Sequence, residues 1–228
     1  MAQRKQGKLI IVGSGELAEI AHEYFTNDSP YKVVAFSAEH DFLKKKELFG
    51  LPVVPFEDVE RLYPPRNHKV FVAVSFTELN RVRTRLLREA KRKGYAPVSY
   101  VSSRAFVWGN VQVGENCFIF ENTVVQHRSK LGNNVIVWSG SIICHRTTIG
   151  DNTFVGPHVV ISGYCEVGKN CFLGANTSTA DELRIGKDCV TGVGTVVVRN
   201  LEGGKVYVGN PARPTGKSSF AAFGVREP

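Results

Sequence analysis

The chain has 228 residues, with 43% hydrophobic and 22% charged side chains and a formal net charge of +8. These values are typical of a soluble globular protein with one large or two modest domains. No apolar run approaches the ~20 residues of a membrane-spanning helix. The apolar run from Leu9 to Val12 is too short for a signal peptide. We therefore expect a cytoplasmic protein without a membrane partner.

Charge and cysteine usage indicate small-molecule ligands rather than nucleic acid or metal. The positive charge is spread along the chain, apart from residues 81–93, which have the pattern of a solvated helix face. No aromatic stacking platform accompanies this charge, so we expect no nucleic-acid partner. A mild positive field suits phosphorylated small molecules equally well. The five cysteines include no Cys-x-x-Cys pair, which favours reduced core thiols and no metal site.

The first hundred residues alternate between apolar runs and helical patterns. An apolar strand at 8–12 leads through Gly13-Ser14-Gly15 into an amphipathic helix, which is the opening of a nucleotide-binding βαβ unit. Glycines let the backbone approach a phosphate, and the helix N-terminus favours its charge. A tight strand-to-helix turn without a ligand is the alternative. Further elements complete a small parallel sheet: strands at 32–36, 52–55 and 70–74, and helices at 56–62 and 79–93.

Polar side chains follow the strand predicted at 70–74. Ser75 and Asn80 come after it, at the carboxyl edge where ligands bind in open α/β sheets. We expect them to contact a ligand, with loop or helix-cap roles as the alternative.

From Val101 to about residue 202 the sequence repeats every six residues. The seventeen positions reached by stepping by six from Val101 to Val197 hold fifteen aliphatic residues and two threonines. This periodicity is typical of a parallel β-helix. Aliphatic-Gly-x-Asn/Asp recurs every eighteen residues, so three hexads make one coil and each corner returns on the next coil. Gly and Asn tolerate the positive φ that tight corners need, and the small or apolar residues four positions on in each hexad should line the interior.

A small Rossmann-like domain followed directly by unbroken hexapeptide repeats resembles the bacterial sugar acyltransferases of the hexapeptide-repeat family, over residues 8–213. That group includes N-acetyltransferases of nucleotide-linked amino sugars and sialic acid O-acetyltransferases. The resemblance implies an α/β domain followed by an all-β left-handed parallel β-helix, with acetyl-CoA as co-substrate, and a homotrimer. We expect an acceptor-binding domain at 1–98, the acyltransferase β-helix at 99–213 and a C-terminal tail at 214–228.

Two histidines, His127 and His145, lie eighteen residues apart and should share one corner on adjacent coils. Residues 143–150 match the family's aliphatic-x-His-acidic-x-x-Ile-Gly frame at the histidine and the closing Ile-Gly, which implies that His145 is the general base. Arg146 stands where the family usually has Glu or Asp. Another group orients His145, or the base is weaker, or this branch works differently. His127 would tune the base or contact the sugar.

Neutral imidazole can take the proton of a sugar amine or hydroxyl as that group attacks an acyl thioester. The neighbouring side chains of His127, Arg128 and Arg146 would disfavour the imidazolium and keep His145 a free base. In the resembling enzymes a glycine one coil further, here Gly163, offers its backbone N–H near the thioester. No serine or cysteine nucleophile motif suggests a covalent intermediate.

The resemblance also assigns ligand contacts. An acidic pair after the second strand often contacts the base in that group; only Glu39 and a non-adjacent Asp41 stand there. The exit segment 208–213 is similar to the stretch that lies beside coenzyme A. The expected acceptor contacts are Gly13, Ser14, Gly15, Glu39, Ser75, Asn80 and His127, and the expected donor contacts are Gly163, Lys187, Lys205 and Arg213.

Together these features favour an acetyl-CoA-dependent acyltransferase that acetylates the amino group of a nucleotide-linked sugar for glycan synthesis. O-acetylation of a sialic acid or related sugar is one alternative. The other is a catalytically silent nucleotide-sugar-binding scaffold, which the unusual Arg146 keeps open.

Overall fold

The computed structural model describes residue 5 and residues 7–225, which divide into two units. Unit 1 holds the described residues up to Ser75 together with Val82–Tyr100. Unit 2 holds Phe76–Arg81 and the described residues from Val101 onward. The short segment 76–81 therefore belongs with the repeats. No helix of the described part is long and apolar enough to cross a membrane.

The elements of the first hundred residues are the strands β1 (Gly7–Val12), β2 (Tyr31–Ala38), β3 (Glu47–Leu48), β4 (Leu51–Pro55), β5 (His68–Val72) and β6 (Ala96–Pro97) and the helices α1 (Glu16–Asn27), α2 (Val59–Leu62) and α3 (Arg81–Arg92). The strands form one sheet in the order β3-β4-β2-β1-β5-β6, which is parallel except at the β3–β4 hairpin. Strand β1 is central and its last four residues are buried, which explains why its sequence is an apolar run. The predicted parallel sheet is confirmed, and the short strands β3 and β6 were missed.

Unit 2 consists of two-residue strands that recur every six residues. Strands eighteen residues apart pair in parallel, as Ile119 does with Val137 and Val125 with Ile143. Three sheets form the faces of a parallel β-helix. The strands are β7 (Tyr100–Val101), β8 (Phe106–Val107), β9 (Gln112–Val113), β10 (Phe118–Ile119), β11 (Val124–Val125), β12 (Lys130–Leu131), β13 (Ile136–Val137), β14 (Ile142–Ile143), β15 (Thr148–Ile149), β16 (Phe154–Val155), β17 (Val160–Ile161), β18 (Glu166–Val167), β19 (Phe172–Leu173), β20 (Ser178–Thr179), β21 (Arg184–Ile185), β22 (Val190–Thr191) and β23 (Val196–Val197).

The interior of the β-helix is the one that the hexad pattern predicts. Every position reached by stepping by six from Ile119 to Val197 is buried. Val101 is exposed, and Val107 and Val113 are half-buried, because the first coil has a coil on one side only. The predicted interior residues four positions on are also buried, which confirms that prediction: Cys117, Thr123, Ser141, Thr153, Val159, Cys165, Cys171, Cys189 and Thr195.

The glycine and asparagine of the eighteen-residue motif have different tasks. Asn152 adopts a φ of 62°, as its equivalents on the other coils do. Gly150 has no positive φ, and an added Cβ would lie 2.7 Å from the backbone of Gly168 on the next coil. The expectation of positive φ therefore holds for the asparagine, whereas the glycine permits close stacking. The asparagine side chains form a ladder in which each amide donates to the next coil, through Asn116, Asn134, Asn152, Asn170 and Asp188.

The residues expected to be a C-terminal tail continue the β-helix. Strand β24 (Lys205–Val208) pairs in parallel with β22, and β25 (Arg213–Ser218) pairs antiparallel with β24. Helix α4 (Ser219–Ala222) follows, and the Ser218 hydroxyl accepts the backbone N–H of Ala221 at its start. Residues 214–225 thus belong to unit 2 and close its last coil, while residues 226–228 lie outside the described residues.

Candidate active site

One corner of the β-helix carries both histidines, as the spacing predicts. The rings of His127 and His145 are stacked, with centroids 5.7 Å apart and planes at 19°. The backbone links the coils here, because Arg146 N–H donates to His127 O at 3.1 Å and Tyr164 N–H donates to His145 O at 3.1 Å. We call residues 127–128, 145–146, 163–164 and 181–182 the histidine corner. The histidines are neighbours because strand pairing sets the coils in register.

Gly163 lies directly against the ring of His145. A Cβ at this position would lie 2.7 Å from Cε1 and 2.8 Å from Nε2 of His145. The φ of Gly163 is not in the positive range, so the missing side chain, not backbone freedom, accounts for the glycine. The ring therefore rests on the backbone of the next coil with its Nε2 edge beside Gly163.

The backbone N–H of Gly163 already has a partner in this chain. It donates to Oδ1 of Asp181, one coil further, at 2.8 Å. A thioester carbonyl could take this hydrogen bond only after the Asp181 carboxylate moved away. Asp181 stands eighteen residues after Gly163, so the spacing places it at the same corner, but its hydrogen bond to Gly163 was not predicted.

Tyr164 is a second residue of the corner that sequence reasoning missed. Its ring meets His145 edge-on at 5.2 Å, and the Arg146 guanidinium lies 5.7 Å from the centroid of the same ring. The guanidinium thus faces an aromatic ring, and the Arg146 that replaces the family's acidic residue is not hydrogen-bonded to His145 among the described contacts. The sequence spacing could have predicted this contact, because Tyr164 lies eighteen residues after Arg146 and is its neighbour on the next coil.

The side chain that reaches His145 is Gln126, on the preceding coil. Its Oε1 accepts the backbone N–H of His145 at 3.0 Å and lies 3.3 Å from Nδ1 of the same residue. A neutral amide, not a carboxylate, therefore lies beside Nδ1 of His145.

Cys144 precedes His145 but is poorly suited to nucleophilic attack. Burial, and next the negative charge of Asp181, raise the pKa of the Cys144 thiol. Since the thiolate is the reactive form, this environment disfavours an acyl-cysteine intermediate.

The expected donor contacts do not all lie at this corner. Lys187 precedes Asp188, the last residue of the asparagine ladder. It lies beside a cavity of about 1060 Å³ that Arg81 and Phe220 also line. Lys205 pairs with Glu202, and Arg213 is exposed on β25. Gly163 and Lys187 therefore lie on different edges of one β-helix, and a single chain does not bring the expected donor residues together.

In unit 1 the predicted glycine turn connects β1 to α1. Gly13 has a φ of 131°, and a Cβ there would lie 2.5 Å from Ala73 O, so the fold itself requires this glycine. Gly15 is the N-cap of α1, has no side-chain cap, and nothing lies within 4 Å of where its Cβ would be. Ser14, between them, is half-buried. The first turn of α1 carries Glu16, which works against an anion there.

The other expected acceptor contacts are placed differently. Arg85 holds the Glu39 carboxylate with two hydrogen bonds of 2.7 and 2.9 Å. Ser75 is half-buried, and its carbonyl accepts a hydrogen bond from Arg83. Asn80 belongs to unit 2, is fully buried and donates to Cys171 O at 3.2 Å. Burial thus leaves Asn80 with a structural position, which corrects its assignment as an acceptor contact.

Family models match the repeats of unit 2. Residues 110–145, 128–163 and 146–180 match the model described as bacterial transferase hexapeptide (six repeats). Residues 165–199 match the hexapeptide repeat of succinyl-transferase. No curated protein matches the chain.

Solved structures resemble nearly the whole chain. PerB from Caulobacter crescentus, in complex with CoA and GDP-perosamine, is 26% identical with a TM-score of 0.82, over 92% of this chain and 98% of that one. The acetyltransferase domain of PglB from Neisseria gonorrhoeae, with acetyl coenzyme A, is 22% identical with a TM-score of 0.80, over 92% and 99%. WeeI from Acinetobacter baumannii is 22% identical with a TM-score of 0.78, over 92% and 100%. At 22% identity the last two show the fold alone.

The hexapeptide repeats that form the parallel β-helix of unit 2 are similar to those of the hexapeptide transferases. The β-helix of this chain is left-handed, and its amino-terminal sheet is Rossmann-like. Together with the likeness to PerB over 92% of the chain, these repeats support a hexapeptide-repeat sugar acyltransferase.

Proposed function

We propose that the enzyme transfers the acetyl group of acetyl-CoA to an amino group of a nucleotide-linked amino sugar. The observation that carries this proposal is the His145 ring, held against Gly163 on a chain that resembles an enzyme described with CoA and GDP-perosamine. The amine lone pair attacks the thioester carbonyl carbon, a C–N bond forms, and the C–S bond breaks. His145 Nε2 takes the proton that the amine loses, and CoA leaves with its sulfur.

Two backbone features of unit 2 support the donor half of the proposal. Gly163, whose Cβ position would lie 2.8 Å from Nε2, carries a backbone N–H, and an oxyanion needs such a donor within about 3 Å. Asp181 holds that N–H in the absence of substrate. The incoming carbonyl replaces the Asp181 carboxylate, so acetyl-CoA binding and donor release are one step.

Unit 1 supplies the acceptor half of the proposal. The open N-terminus of α1 at Gly15 leaves backbone N–H groups for a phosphate of the nucleotide. Ser37 lies in the buried part of β2, and its carbonyl accepts the N–H of Gly13 at 2.7 Å. The Ser37 hydroxyl is fully buried without a hydrogen-bond partner among the described residues, so a ligand hydroxyl or phosphate would satisfy it.

We also propose that the enzyme is a homotrimer. The donor residues lie on different edges of one chain, so packing of parallel β-helices would let Lys187 of one chain complete the donor site at another chain's histidine corner. Sedimentation should give three times the chain mass of 25.2 kDa, whereas a single-chain mass contradicts the proposal.

A cytoplasmic location is part of the proposal. All five cysteines are free, and four of them are buried, which suits a reducing compartment. Recovery of the native protein with the membrane or secreted fraction would contradict it.

Free thiol release from acetyl-CoA tests the reaction. We expect release with a nucleotide-linked 4-amino sugar such as GDP-perosamine and none with the matched sugar that carries a hydroxyl at that carbon. Release with the hydroxyl acceptor alone would establish O-acetylation instead. No release with either acceptor, from protein that binds acetyl-CoA, would contradict acyl transfer to these sugars.

A further inference from the structure

The sequence alone left open which group orients His145, and the structure places the Gln126 side chain against its ring. Gln126 stands one coil earlier, next to His127 in the sequence. Its Oε1 contacts two atoms of His145, the backbone N at 3.0 Å and the ring Nδ1 at 3.3 Å. The two contacts meet at one oxygen, so the side chain fixes the ring relative to its own backbone.

The backbone contact determines which end of the Gln126 amide faces His145. A backbone N–H can only donate a hydrogen bond, so the atom that faces it must be the amide oxygen and not the NH₂ group. That oxygen can only accept. Nδ1 of His145, which faces the same oxygen, must therefore carry a proton.

A neutral imidazole has one protonated and one free ring nitrogen. With the proton on Nδ1, the lone pair of His145 lies on Nε2, the edge beside Gly163. We propose that Gln126 is the positioning residue of this enzyme, which selects the Nδ1–H tautomer of His145 and aims the free Nε2 at the acceptor amine. The expected effect on kcat rests on the proposed function, whereas the tautomer of His145 does not depend on it.

A neutral amide differs from a carboxylate in its effect on the charge of His145. A carboxylate at Nδ1 would favour the imidazolium, whereas Gln126 holds the ring without adding negative charge. The other charged or titratable groups around the ring are the stacked His127, Arg146, Tyr164 at the ring edge, Cys144 and the Asp181 carboxylate beyond Gly163. Gln126 therefore holds Nδ1 of His145 by a hydrogen bond alone and adds no charge of its own.

The first test measures the tautomer and requires no activity. The full-length protein is labelled with ¹⁵N-histidine, and the His145 signals are identified by their loss in His145→Asn. We expect a protonated Nδ1 and an unprotonated Nε2 in the unmodified protein at neutral pH. In Gln126→Met, which keeps the length of the side chain but has no acceptor, the Nε2–H form should increase. Gln112→Met, the same change on the exposed part of β9, should leave the His145 signals unchanged.

The second test measures rates across pH. Gln126→Met should lower kcat by about 10- to 100-fold with a smaller change in KM, the range found when a group that orients a functional histidine is removed. Gln126→Glu keeps the acceptor and adds a charge, so it should retain most of kcat at high pH and move the acidic limb of the pH–rate profile upward by about one pH unit.

The outcomes separate the two hypotheses. A protonated Nε2 in the unmodified protein, or an unchanged His145 spectrum in Gln126→Met, overturns the role of Gln126 whatever the activity. The expected tautomer together with unchanged kcat in His145→Asn supports Gln126 and instead contradicts His145 as the base. A Gln126→Glu profile with no displaced limb also counts against the proposal.

Discussion

Gly163→Ala separates a catalytic contact from a structural one. The added Cβ would lie 2.7 Å from His145 Cε1, and ordinary contact begins at 3.4 Å, so the ring must move by about 0.7 Å. The obstructing atoms belong to a side chain at a corner, and the ring can swing outward without disturbing the coils. A misplacement on the order of 1 Å at a reacting group costs up to about 100-fold in rate.

We therefore expect Gly163→Ala to lower kcat by about 10- to 100-fold while the melting temperature changes little. Steady-state thiol release measures the first quantity, and calorimetry measures the second. Gly150→Ala is the matched control, because its Cβ would lie 2.7 Å from the backbone of Gly168, which cannot swing away. Overpacking of this kind costs about 1–3 kcal/mol, so Gly150→Ala should lower the melting temperature by several degrees.

Unchanged kcat in Gly163→Ala would refute the reasoning, because the reacting ring could not then be the one that the new methyl group displaces. A large loss of stability in Gly163→Ala would refute it differently, by showing that the corner cannot relax.

Further substitutions test the other parts of the site. His145→Ala should lower turnover by about 10²–10⁴-fold with acetyl-CoA binding retained, and His127→Ala should cost less and mainly affect acceptor binding; the reverse order of losses would exchange their roles. Gly15→Val should weaken acceptor binding in calorimetric titration without unfolding the protein, since its Cβ position is open, and a loss of acetyl-CoA affinity instead would contradict the division of labour between the units. Asp181→Ala frees a backbone donor worth about 0.5–1.5 kcal/mol, so KM for acetyl-CoA should fall by about 2- to 10-fold, and a higher KM would show that the carboxylate helps binding. Asn152→Ala removes two ladder hydrogen bonds, so urea denaturation should show a loss of about 2–4 kcal/mol, and a loss below 1 kcal/mol would mean that the ladder is not stabilising.

The β-helix could be predicted from the sequence because its rules are local and repeat. A residue six positions on faces the same way, and one eighteen positions on is a neighbour in the next coil. Periodicity therefore placed His127, His145 and Gly163 at one corner without a structure. The asparagine ladder and the buried small residues follow from the same rule.

Periodicity could not predict which polar side chains form hydrogen bonds at the corner, because that depends on side-chain direction. The spacing makes Gln126 one of many polar residues on the coils, and only its rotamer brings its oxygen to the backbone N and to Nδ1 of His145. In the same way Asp181 could have faced solvent, but its carboxylate turns back to the N–H of Gly163.

Contacts that are distant in sequence also required the tertiary structure. Asn80 followed a strand at a typical ligand-binding edge, but it is 91 positions from Cys171, and no local pattern links residues so far apart. Its backbone φ of 67° and full burial place it against a coil of unit 2. The sequence alone thus determined the repeats, the sheet of unit 1 and the histidine corner, because neighbours along the chain or one coil apart define them. The tertiary structure alone decided which polar atoms meet, because hydrogen bonds depend on rotamers and on long-range packing.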